Sequence, residues 1–131
     1  MSEMPQPSPS LKRNWRWFRS PGSDRMLAKD ELDQLPEHGR AALAEAISRF
    51  RHGQERRDEV RKLADCNDLW EIIVRVHNDC FRAIFFYDTS IICVCVTAIK
   101  KNQQRLPPTD KQRALRRMSV WQEQGRHRGS R

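Results

Sequence analysis

No stretch of this sequence reaches the roughly 18 consecutive apolar residues that a bilayer-spanning helix requires, and no apolar signal core follows a basic start. Both absences argue against a membrane and imply a cytoplasmic protein. The four cysteines, Cys66, Cys80, Cys93 and Cys95, contain no Cys-x-x-Cys pair, which removes the commonest zinc pattern. Cys93 and Cys95 alternate within an apolar run and share one strand face, so they read as small core residues; metal and disulfide roles are the alternatives. Internal repeats are also absent. What remains, in 131 residues, suits a single core.

Charge is present in quantity but unevenly placed. Residues 1–99 carry 15 Lys or Arg against 15 Asp or Glu, whereas residues 100–131 carry 10 against 2, so the whole net charge of +8 lies behind residue 99. A positive field confined to one segment favours a polyanion such as RNA, DNA or an acidic protein; a solvated basic tail is the plainer alternative.

Along the chain, "MSEMPQPSPS" is rich in Pro and Ser without apolar periodicity, and residues 1–13 read as a disordered leader. "NWRWFRS" alternates and is closed by Pro21-Gly22, which predicts a short strand with its tryptophans in packing. "DRMLAKDELDQL" is helix-compatible, and after Pro36 a better helix follows, with Leu43, Ile47 and Phe50 at helical spacing and Gly53 at its end. "QERRDEVRKLADCND" fits either a short helix or a connection. The period then changes to two in "LWEIIVRV", "FRAIFFY" and "IICVCVTAI", separated by short turn-forming breaks, which predicts three antiparallel strands in meander order. Past Pro107-Pro108, Thr109 can cap a last helix with the apolar stripe Ala114, Leu115, Met118 and Trp121. The domain is therefore expected over 14–124, with a basic tail at 125–131.

If Asn78 and Asp79 form the first turn, Arg75 lies opposite Arg82 and His77 opposite Cys80. With the second turn at Thr89, Arg82 meets Val96, and Lys100 emerges on the face of Arg75, His77 and Arg82. Opposed like charges repel, so such a face calls for an anion, and a phosphate would suit. A slip of one residue would exchange Lys100 for Lys101. The alternative is that these arginines point to solvent and pair with Glu71 or other acids, with His77 an exposed bystander.

Taken in order, "LWEIIVRVHNDCFRAIFFYD", "VTAIKKNQQRLPP" and "RALRRMSVW" resemble the HigB branch of the RelE/ParE toxin superfamily over about residues 14–121. The family pattern is a Leu-x-Glu-Leu-Arg strand, a Tyr-or-Phe-Arg-Val strand, a Lys-Asn-Gln-Gln element before Pro, and an Ala-x-x-Arg helix. The resemblance implies an α+β, RelE-like fold: an antiparallel sheet of about four strands packed by N-terminal helices, with a C-terminal helix. It further implies a toxin that cleaves mRNA on the 70S ribosome and is silenced by a HigA-type helix-turn-helix antitoxin. Carried over by position, the matching residues are Glu71, Arg82, Lys101 with Lys100, and Arg117, while the Arg of the first motif falls at Ile73 and Arg75 keeps that face one step on.

Cleavage by a neighbouring 2′-hydroxyl requires a deprotonated nucleophile, a stabilised phosphorane and a protonated leaving oxygen. Arg82, with Arg75 or Arg117, offers planar forks for phosphate oxygens. Lys100 or Lys101 can add charge or move protons, and His77 is a candidate proton shuttle. Glu71 alone on its face is too little for a magnesium site, so metal-independent chemistry without a cofactor is expected. Arg105, Lys111, Arg113, Arg116 and Arg117 are the expected RNA-backbone contacts. Two other readings compete: a non-catalytic RNA- or antitoxin-binding protein, with Ile73 marking lost chemistry, and a ParE-like gyrase inhibitor, separable by a supercoiling assay.

Overall fold

In the computed structural model, which describes residues 12–64, 66 and 68–129 (side chains only to 125), eight elements follow one another. They are β1 (Asn14–Trp17), α1 (Leu27–Asp33), α2 (Glu37–Arg51), β2 (Val60–Lys62), β3 (Trp70–Val76), β4 (Asp79–Tyr87), β5 (Ile92–Lys100) and α3 (Pro108–Gly129). The strands form one sheet in the order β1-β5-β4-β3-β2. Only β1 runs parallel to its neighbour, β5. The α+β class and the C-terminal helix agree with the sequence reading. The fifth strand does not: the segment read as a helix or connection supplies β2, three residues at an edge, too short to show a period. Residues 1–11 of the expected leader, and residues 130 and 131, lie outside the described residues; α3 continues through Gly129, with no break at 124.

β4 and β5 are buried on both faces, which is why their sequences read as nearly continuous apolar runs. On one face Phe50 of α2 packs on Phe85 with ring centroids 5.0 Å apart, and Trp15 of β1 joins them. On the other, α3 lies across β5, where Arg117 donates to the Val96 carbonyl at 2.7 Å. α1 closes the part of β5 that β1 leaves unpaired: the Glu31 carboxylate accepts from the Thr97 hydroxyl, the Ala98 amide and Arg117. All four cysteines are unbridged, and Cys80, Cys93 and Cys95 are buried. Burial pushes the Cys93 thiol up to about 12 and raises that of Cys95 also, which suits inert core residues.

α2 packs against the sheet at Gly39, where a methyl group would overlap the buried Phe81 ring. Gly39→Ala should therefore lower unfolding free energy by about 1–3 kcal/mol in urea titrations, although alanine is the better helix former. An unchanged or raised midpoint would show that the ring can yield.

Register is where the sequence reading fails. The turn is made by His77 and Asn78, with His77 in the left-handed region at φ 57°, so Val76 faces Asp79, Arg75 faces Cys80, and Arg82 faces Ile73. The expected Arg75–Arg82 opposition does not form. In the second hairpin Phe85 pairs with Cys95 but Ile84 pairs with Thr97, leaving Val96 as an extra residue. That bulge reverses the face of everything after it. Lys100 therefore pairs with Phe81 on the α2 face, and Lys101, not Lys100, leaves on the side of Arg82.

Candidate active site

Glu71 is the centre of the arrangement. β3 places it between Arg61 on β2 and Ile84 on β4, fully buried. The Arg61 Nε donates to Glu71 Oε2, and Arg82 Nη1 stands 3.6 Å from Oε1. Arg82 is likewise fully buried, beyond the reach of solvent, and its Nη2 donates to the Gln103 carbonyl. Arg61 Nη2 donates to the Gln104 carbonyl at 3.3 Å. The two guanidiniums thus draw the chain after β5 down over the carboxylate, and the two glutamines of the Lys-Asn-Gln-Gln element act here through their backbone carbonyls. Among the described residues, Glu71 Oε1, Arg82 Nε and Nη1, and Asp110 Oδ2 are buried without a hydrogen-bond partner. Such unspent capacity is costly in a folded protein and concentrates at functional sites.

Over Glu71 opens a cavity of about 300 Å³, lined by Arg61, Lys62, Gln104, Arg105 and Lys111 among others. A buried carboxylate at the floor and four cations around the walls can accept a proton while holding an anion. Two of these groups, Arg105 and Lys111, were expected from sequence as RNA contacts. Arg61 was not. Its position beside Glu71 depends on the three-residue β2, and nothing local distinguishes it from other arginines of the charged segment. It brings a guanidinium to the carboxylate from the neighbouring strand, while Ile73 faces Arg82.

The other expected residues separate into groups. Lys101 stands 3.9 Å from Asp110, which is buried and also bonded by Arg113 at 2.6 Å. Arg113 further donates to the Thr97 hydroxyl, and Arg117 is held by Glu31 and the Val96 carbonyl, so both fasten α3 to the sheet. Arg116 is exposed on α3. Arg75 is exposed at the far end of β3 and lines a different cavity.

His77, expected on the face of Arg82, instead lies against His38 of α2, ring centroids 5.9 Å apart, because its left-handed turn conformation breaks the strand's alternation. Lys100 joins that group by an ion pair of 3.6 Å to Asp79, which His38 also approaches at 3.5 Å. Desolvation pushes the Asp79 carboxyl up, but the Lys100 charge and hydrogen bonds from His38 and Asn102 outweigh it and hold the group below its ordinary value of 3.8. At Glu59, burial is likewise outweighed by Arg49 and by the Arg56 amide, so that carboxyl lies below its ordinary 4.5. A depressed folded value adds stability above the ordinary value and loses it as pH falls through the lowered one. Urea midpoints should thus hold steady from neutral pH down to about 4.5 and drop below it, and Asp79→Asn should shallow the drop.

Comparison with known proteins gives two findings. Residues 30–119 match the family described as Phage derived protein Gp49-like (DUF891). Over 118 residues, 90% of this chain and 92% of the relative, the sequence is 33% identical to the Probable endoribonuclease HigB1 of Mycobacterium tuberculosis strain CDC 1551 / Oshkosh, and equally to that of strain ATCC 25618 / H37Rv.

Proposed function

Because the chain belongs to the phage-derived Gp49-like family of HigB-type toxins, we propose that it is the toxin of a type II toxin-antitoxin system and cleaves mRNA on the ribosome. The observation that carries this reading is the buried Glu71 carboxylate, gripped by Arg61 and Arg82, at the floor of a cation-walled cavity.

In the mechanism this geometry supports, Glu71 accepts the proton of a 2′-hydroxyl. Arg61, with Arg105 and Lys111, neutralises the charge that gathers on the phosphorus oxygens, where forked or mobile cations count most in a partly desolvated cavity. Arg82, fully buried, is a positioning residue: it orients Glu71 and holds the Gln103 carbonyl. Lys101, tied to Asp110 beside the start of α3, anchors the strand exit and supplies the proton for the leaving 5′-oxygen. A HigA-type helix-turn-helix antitoxin would silence the protein, in keeping with the family, and the described chain has no helix long and apolar enough to cross a membrane.

Induced expression without an antitoxin should arrest growth and produce new mRNA 5′ ends, mapped by primer extension, only while ribosomes translate. Continued translation with intact transcripts would remove the reading, and gyrase inhibition in a supercoiling assay would replace it.

A further inference from the structure

Next to the candidate active site is a second open cavity of about 460 Å³, walled by α2, the turn before β2 and the far half of β3. Arg61 lines both cavities. Five arginines, Arg49, Arg56, Arg57, Arg61 and Arg75, line this second space against three carboxylates, Glu45, Asp58 and Glu59. The pairing leaves a remainder. Glu59 accepts from Arg49 Nε and Nη2 and from the Arg56 amide, and Arg61 is committed to Glu71. Arg56, Arg57 and Arg75 are exposed, and no ion pair among the described residues engages them.

Resting on the endoribonuclease reading, we propose that this cleft binds the phosphodiester backbone of the same RNA strand, a few nucleotides from the phosphate held over Glu71. Arg75 follows Glu71 by four residues on β3, roughly 13 Å at about 3.3 Å per residue, a distance a single strand covers in a few steps. Guanidinium forks match phosphate oxygens. The lining contains no aromatic side chain on which a base could stack, so the cleft reads charge and not base identity. The lining residue shared with the first cavity, Arg61, favours RNA over the competing occupant of the same charge, an acidic protein segment.

The test uses uncleavable 2′-O-methyl RNA, a dinucleotide and a dodecanucleotide, with the full chain and its Arg56→Ala/Arg57→Ala/Arg75→Ala variant. None of these side chains forms a close ion pair among the described residues, and only Arg56 acts by its charge on a buried acid, Glu59, so the variant should stay close to the wild-type urea midpoint. Dodecanucleotide affinity should fall about tenfold or more and the salt slope by about 2, at about 0.7 per lost phosphate contact. Dinucleotide affinity should not change. An unchanged dodecanucleotide slope, an equal loss for both lengths, or a cleft that takes a glutamate-rich peptide while RNA binding is unaffected would overturn the proposal. The two readings fail separately. Uncut transcripts with a length-dependent loss would remove the nuclease and keep the cleft, whereas normal cleavage by a variant with an unchanged slope would do the reverse.

Discussion

Glu71→Gln should slow RNA cleavage by about 10²–10⁴-fold, the span usual for a positioned general base, with little change in affinity for an uncleavable RNA. The amide oxygen can still accept from Arg61, so the walls of the cavity stay in place, but nothing on its floor can take a proton. Single-turnover cleavage read beside binding to 2′-O-methyl RNA separates these effects. A variant that cleaves within tenfold of wild type would move the proton acceptor elsewhere and remove the role given to Glu71. Binding that fell in parallel would point to a collapsed site, which the urea midpoint would reveal.

Arg82→Met should destabilise the fold by about 3–5 kcal/mol, because one partner of a fully buried pair is removed and the other remains. Arg61, itself partly exposed, still bonds Glu71, so the lower part of that span is the expected value. The loop is affected as well: the Gln103 carbonyl loses its donor, and the segment after β5 should exchange its amide hydrogens faster. Adding Glu71→Leu to Arg82→Met should recover much of the loss, since an apolar pair of similar volume carries no stranded charge. If the double variant is as unstable as the two single losses added together, the pair is not coupled and Arg82 is not a positioning residue. Activity should be absent from the double variant whatever its stability.

Much of the architecture was legible. Period-two alternation located β3, apolar runs bounded by short turn-residue breaks located β4 and β5, helical spacing located α2, and the Pro-Pro break placed the start of α3. Glu71, Arg105 and Lys111, which line the candidate site, were singled out by their family motif or by the concentration of basic charge behind residue 99. Arg61 was not, because a three-residue edge strand has no period to read and its partner lies ten positions away. The expected face of Lys100 was wrong for a different reason. One extra residue at Val96 costs the alternation nothing that composition can register, since both faces of β5 are apolar and buried, yet it reverses every later side chain. His77 was misplaced by the same kind of event, a single left-handed residue at a turn.

By itself the sequence determined the class of the fold, the family and the supply of cations, because these depend on periodicity, motif order and composition, which are local or additive. Tertiary structure alone decided which cations reach Glu71. That choice is set by strand register and by the chain after β5 folding back over the sheet, where a shift of one residue exchanges lysines and costs little in apolar burial, so no local pattern can report it.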